Sequence, residues 1–430
     1  MKQNDIEQTT HEGGEIPSIL EKRRLLRGDR ILWIIVAMFF AISMVVVYSA
    51  TSQLGFKGGS TSEYLHKHIA TLCMSAGILF GCYYAARMHH LRRFTGLIYV
   101  VALLMTLAAY VFGGATNDAH RWLNLGFVRF QPSELLKIAT VMMLSAKLSA
   151  MHQNIRKVRL LPTTFDVRKW VTARERDIIF DEAMPLLMPI ALSCMAILPA
   201  HTSSAIHLYA VGIVLLLIAG VRFREVLKVS VVAAVLGFMI IFTVGRGGVF
   251  VDRVKRGIDN IFGKAKTEQV QGVMDKYDDS ERSQMAIYNG GIFGVGAGRS
   301  IMRARLTHPE SDYLFAIVVE EFGLLLSLMI MMLYLWLFFR AFRIFERCEW
   351  LYAGLMEVGL AFLVTSQGFM HIAVNIGWMF ETGQNLPFLT QGRTSMFCAS
   401  IAVGLILSIS RQAELGTLVP PSQKEGNKQL

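Results

Sequence analysis

Long apolar blocks constrain this chain more than any other feature. A bilayer core calls for about 20 apolar residues per helix. Ten stretches of that kind punctuate the 430 residues: 31–52, 69–88, 96–114, 135–151, 183–200, 204–221, 226–244, 313–339, 351–379 and 389–410. Backbone N–H and C=O groups find no water in hydrocarbon, so each block is expected to be a helix. The expectation is an all-α polytopic membrane protein with ten transmembrane helices over 31–411, a polar segment 1–30 before them and a short tail 412–430 after them. Charged residues are only 17% of the chain, against about 25% in soluble domains. Five cysteines, no two within four residues of each other, exclude a disulfide scaffold and a zinc site.

The net charge of +11 raises the question of a polyanionic partner, and its placement answers it. With the N-terminus in the cytoplasm, 26 Lys and Arg fall on cytoplasmic segments and 4 (Lys57, Lys67, Arg121 and Arg129) on the short outer loops. That is the positive-inside pattern, and an even number of crossings puts both termini in the cytoplasm. No basic patch carries interleaved aromatics, so no nucleic-acid partner is expected. Residues 247–312 stand apart: a 66-residue outer loop between the seventh and eighth helices, with 10 basic and 9 acidic residues. A loop of that length is generally functional. Around 250–262 its charged and apolar residues alternate at helical spacing, which suits an amphipathic helix on the membrane surface.

Four clusters have the residue types for chemistry. The first is Gln131-Pro132-Ser133-Glu134 with Lys137, preceded by Arg121-Trp122. Pro132 and Ser133 suit a helix start, and Glu134 falls in the first turn, where the dipole favours an anion. Glu134 and Lys137, three apart, share a face. A cap with a snorkelling lysine is the plain structural explanation; ionisable groups inside a membrane are otherwise functional candidates. The second is His308-Pro309-Glu310-Ser311-Asp312, followed by Glu320-Glu321. Asp312 reads as an N-cap, and a capping carboxylate stays ionised, the state a general base needs. Glu320 and Glu321 face about 100° apart on a helix; one is placed to pair with Lys137 or Arg393, the other to cap or face a cavity. The third, Gly290 to Gly298, lacks the GxxxxGK[ST] spacing of a nucleotide loop. It reads either as backbone lining a lipid-phosphate cavity or as a plain flexible loop. The fourth, 382–395, carries Arg393 inside the last apolar block, where a guanidinium suits a pyrophosphate.

Together these residues resemble the shape, elongation, division and sporulation (SEDS) family over nearly the whole chain. The matching positions include Gly28-Asp29, Tyr48-Ser49-Ala50, Arg121-Trp122, Gln131-Pro132-Ser133-Glu134 with Lys137, Gly290-Gly291, Pro309-Glu310, Asp312, Glu320-Glu321-Phe322-Gly323, Leu386-Pro387-Phe388 and Gly392. The resemblance implies a peptidoglycan glycosyltransferase that polymerises lipid II at the bacterial cytoplasmic membrane. It implies a class B penicillin-binding transpeptidase as partner, other divisome proteins beside it and a place at the division septum. It carries the catalytic aspartate onto Asp312, and substrate and pyrophosphate binding onto Arg121, Glu134 and Lys137. Arg393, which departs from the family pattern, is added to that set on its charge. Gln131, Ser133, Glu320 and Glu321 take supporting places. No organic cofactor is implied; a divalent cation, magnesium or manganese, is left open, with no metal ligands assigned. The chain start and the Tyr-Ser-Ala ending of the first helix favour the cell-division branch over the elongation branch. A lipid II flippase or a scaffold without catalysis is the rival class. Two further departures are Pro199-Ala200-His201-Thr202-Ser203, which lacks an acid the family carries, and the short spacing from Pro309-Glu310 to Asp312.

Overall fold

A computed structural model describes residues 26–52, 61–116, 119–124, 129–161, 178–243, 255, 278–390 and 392–418. Helices occupy each apolar block: α1 (Arg30–Ser52), α2 (Thr61–Ala85), α3 (Met88–Phe112), α4 (Pro132–Ala150), α5 (Met184–Ile197), α6 (Thr202–Ile218) and α7 (Phe223–Thr243). After the amphipathic α8 (Asp279–Gly290) come α9 (Leu314–Arg347), α10 (Leu351–Asn375) and α11 (Arg393–Glu414). Six of these, α1, α2, α3, α9, α10 and α11, are long and apolar enough to cross a membrane. The other four apolar-block helices, α4 to α7, are shorter or carry charges in their opening turns.

Burial sorts the helices into layers. Across its most apolar window α11 is 89% buried and α10 is 72% buried, whereas α2 and α3 are each 28% buried. α10 and α11 form the interior although they are less apolar than α1, α3 and α9: protein neighbours, not lipid, surround them, so they carry buried polar groups such as Gln367, Asn375, Thr394 and Ser400. α10 packs against α4, α6, α9 and α11. The outward faces of α2, α3 and α7 carry exposed Phe80, Leu97, Val111, Leu236 and Met239, as lipid-facing surfaces do.

The two ends of the described chain meet at one end of the bundle. Asp29 accepts from the Ile31 and Leu32 N–H groups at 2.8 and 3.3 Å, capping α1. Its own N–H donates to Ser410 Oγ of α11 at 2.8 Å, and Arg340 Nε of α9 donates to its carboxylate at 2.9 Å. At the opposite end the all-α expectation needs a correction. There β1 (Gly114–Thr116), β2 (Ala119–Asn124) and β3 (Arg129–Phe130) form a small antiparallel sheet, in the order β1-β2-β3. Strands of two to six residues are too short to show a period of two in sequence. In the loop before α9, the segment 250–262, where a helix is expected, lies outside the described residues apart from Lys255. The described part holds α8 instead, started by a capping box in which Asp278 and Glu281 serve each other's backbone.

Candidate functional site

The Gln131-Pro132-Ser133 start of α4 is held by its neighbours. The Gln131 N–H donates to Thr394 Oγ1 at 3.3 Å, and that hydroxyl donates to the Arg129 carbonyl at 3.1 Å, so β3, α4 and α11 are tied at one point. Gln131 Nε2 donates to Ser133 Oγ at 3.2 Å. One turn inward, Lys137 Nζ sits 2.8 Å from Glu134 Oε2, and both are buried, Lys137 to 1% exposure. Lys137 Nζ also donates to Gln367 Oε1 of α10 at 3.1 Å, and Gln367 Nε2 donates to the Asn385 carbonyl at 3.2 Å. The pair borders a cavity of about 20 Å³ whose lining includes Gln367, Pro387, Ser395 and Cys398, room for about one water. A buried ion pair is costly to desolvate and adds little stability over an apolar pair, which makes a bland capping role a poor explanation for it.

Asp312 lies at the same end of the bundle, half-buried. It closes a tight turn in which the His308 carbonyl accepts from the Ser311, Asp312 and Tyr313 N–H groups at 3.3, 3.0 and 3.4 Å. The N-cap of α9 is Tyr313, not Asp312, and it supplies no side-chain cap. The cap comes from another helix: Asn375 Oδ1, at the end of α10, accepts from the Ala316 N–H at 2.9 Å. Asn375 Nδ2 donates to the Asp312 carbonyl at 3.0 Å. The Asp312 carboxylate makes no hydrogen bond or ion pair among the described residues, so it is available to a ligand. Beside it the Tyr313 hydroxyl donates to Glu381 Oε1 at 2.8 Å. Burial, followed by the Glu381 charge, pushes that phenol's pKa up and keeps it a donor.

Glu320 and Glu321 do not meet Lys137 or Arg393. The 300–303 segment folds back over them and supplies their partners. Glu320 accepts from Ser300 Oγ and from the Ile301 and Met302 N–H groups at 3.2 and 3.4 Å. Glu321 accepts from Ser49 Oγ and lies 3.0 Å from Arg303 Nη1. Burial lowers the Arg303 pKa, with Glu321 opposing it. The glycine run has a structural task here. Gly323 sits at φ +80, breaking α9. The Glu320 and Glu321 carbonyls accept instead from the Val295 and Gly296 N–H groups at 2.9 and 3.0 Å, and the Leu324 N–H donates to the Gly291 carbonyl at 3.0 Å. The loop completes the hydrogen bonding of a broken helix, as buried backbone requires.

Arg393 opens α11 rather than lying within it; it is exposed and makes no hydrogen bond or ion pair among the described residues. Arg121 is in β2, and its side chain lies outside the described set. His201, in the departed Pro199–Ser203 stretch, caps α6 by accepting from the Ser204 N–H at 3.1 Å. Among the described residues no group of three His, Cys, Asp or Glu is arranged to hold a metal ion. Sequence reasoning missed Gln367, Asn375 and Arg303. Gln367, His371 and Asn375 recur every four residues on α10 and therefore share one face, a polar row that the apolar surroundings of 351–379 concealed. At 1.5 Å per residue the row spans about 12 Å, from the partner of Lys137 to the partner of Asp312.

A family model for FtsW/RodA/SpoVE cell cycle proteins matches residues 29–415. The chain is 27% identical to a probable peptidoglycan glycosyltransferase FtsW of Thioalkalivibrio sulfidiphilus, covering 95% of this chain and 94% of that one. It is 26% identical to the protein of the same name from Neisseria gonorrhoeae, covering 92% and 88%. Among solved structures, a chain of a peptidoglycan synthase complex that coordinates polymerization and crosslinking matches with TM-score 0.65 at 20% identity, over 90% of this chain and 99% of that one. The crystal structure of Thermus thermophilus rod shape determining protein RodA matches with TM-score 0.58 at 20% identity, over 90% and 98%.

Proposed function

The chain belongs to the FtsW/RodA/SpoVE family of cell cycle proteins, and we propose that it is a peptidoglycan glycosyltransferase of the FtsW type that polymerises lipid II during septal wall synthesis. The observation that carries the reading is the pairing of a buried Glu134–Lys137 ion pair with a carboxylate, Asp312, that makes no hydrogen bond or ion pair among the described residues at the same end of the bundle. A base must be accessible to substrate; a charge that answers a phosphate is most effective when kept from bulk water. Asp312 is half-buried and Lys137 is buried, which suits those opposite needs. Ten crossings, with both termini cytoplasmic and the 247–312 loop outside, would place this end at the outer face of the membrane, where lipid II presents its sugars.

In the proposed reaction the Asp312 carboxylate takes the proton of the acceptor 4-hydroxyl. The freed oxygen attacks the anomeric carbon of the donor sugar, and the bond to undecaprenyl pyrophosphate breaks. Lys137, with Arg121 and Arg393, is assigned to answer the charge that develops on the leaving pyrophosphate, and Glu134 to hold Lys137 in place until then. The family-implied cation has no fitting donor set of His, Cys, Asp and Glu among the described residues. A class B transpeptidase is the proposed partner, as the peptidoglycan synthase complex suggests. The test is polymerisation of lipid II by the purified protein, alone and with that partner. Glycan formation supports the reading; lipid II movement across vesicles without glycan formation favours a flippase.

A further inference from the structure

We propose that Asn375 is a positioning residue for Asp312, distinct from its task as the cap of α9. The inference rests on the reading of Asp312 as the base. Asn375 is fully buried, and its amide is almost saturated: Nδ2 donates to the Asp312 carbonyl at 3.0 Å and to the His371 carbonyl at 2.8 Å, and Oδ1 accepts from the Ala316 N–H at 2.9 Å. Its own carbonyl accepts from Ser283 Oγ of α8 at 2.8 Å. The residue is thus fixed from α8 and α10 while it joins the C-terminal end of the turn that presents Asp312 to the first turn of α9. Among the described residues the aspartate carboxylate makes no hydrogen bond or ion pair. Its position is therefore set by its backbone, whose carbonyl is held by the Asn375 side chain.

Capping and gripping use different atoms, so they can be separated. A cap needs only an acceptor, which aspartate supplies and a helix N-terminus favours. The grip needs the Nδ2 donor, which aspartate lacks. Asn375→Asp keeps the bond from Ala316 and sets a carboxylate oxygen against the Asp312 and His371 carbonyls. The turn must then shift. Displacing a catalytic group by about 1 Å costs on the order of 10²-fold in rate.

The test is steady-state polymerisation of lipid II by the full-length protein in complex with its transpeptidase, beside thermal melting of the same preparations. Asn375→Asp is expected to lower kcat roughly 10–100-fold while KM for lipid II stays within about 2-fold. Wild-type kcat in folded Asn375→Asp overturns the proposal, as does a loss confined to KM. If Asn375→Asp yields no folded protein, Asn375→Ser, which shortens the side chain without adding charge, is expected to show the same split in its folded fraction, and wild-type kcat there overturns the proposal. Asp312→Asn, measured in parallel, separates the two claims. Wild-type glycan yield from it removes the base reading itself. An inactive Asp312→Asn beside a full-rate Asn375→Asp removes only the positioning role.

Discussion

Lys137 Nζ lies 2.8 Å from Glu134 Oε2 one turn inside α4, and both side chains are buried. Breaking a buried pair costs more than replacing it whole, so its parts should respond differently to removal one at a time and together. Lys137→Met leaves a lone buried carboxylate and is expected to destabilise the protein by about 3–5 kcal/mol. Lys137→Met combined with Glu134→Gln should recover most of that melting temperature. Polymerisation should fall on the order of 10²-fold or more in both. Recovery of activity along with stability would assign the pair a purely structural role.

Arg393 tests the opposite case. It is exposed and unbonded among the described residues, so Arg393→Ala should leave stability within about 0.5 kcal/mol of wild type. A role at the pyrophosphate should appear as a raised KM for lipid II. An unchanged KM would remove Arg393 from the binding set.

The break in α9 depends on Gly323, at φ +80, where an added Cβ would meet the Ile292 carbonyl. Gly323→Ala is expected to cost at least about 1–3 kcal/mol. Gly77→Ala in α2, where a Cβ meets nothing within 4 Å, is the control and should stabilise by up to about 1 kcal/mol. Comparing the two melting temperatures checks whether the glycine loop is fastened to the helix break.

Arg303 is the buried counter-charge of Glu321, and its guanidinium also donates to the Ser49 carbonyl at 3.0 Å. Arg303→Ala strands Glu321 and should destabilise by about 3–5 kcal/mol. Glu321→Gln, which retains an acceptor for Ser49, should cost less. Equal melting temperatures for the two variants would show that the ion pair contributes nothing beyond hydrogen bonding.

The helical blocks were legible in sequence because a lipid solvent demands long apolar runs, and helices occupy every one of them. The first turn of α4 was legible too: a proline at the start, an acid in the first turn and a lysine three residues on are local rules, and Glu134 pairs with Lys137 as spacing implies. Partners from distant segments were not legible. Glu320 and Glu321 find Ser300 and Arg303 because the loop folds back onto α9, and Glu321 finds Ser49 because α1 packs against α9; no local periodicity reports either contact. The cap of α9 came from Asn375, 59 residues from Ala316, where sequence pointed to the adjacent Asp312. The strands between α3 and α4 escaped because they are too short to alternate visibly.

The most direct measurement is glycan polymerisation from lipid II by purified wild-type protein and by Asp312→Asn, each in complex with the transpeptidase and matched for melting temperature. Loss of general base catalysis is worth roughly 10²–10⁴-fold, so Asp312→Asn is expected to fold normally and form little or no glycan. Wild-type glycan yield from Asp312→Asn would contradict the assignment of the base and, with it, the proposed mechanism.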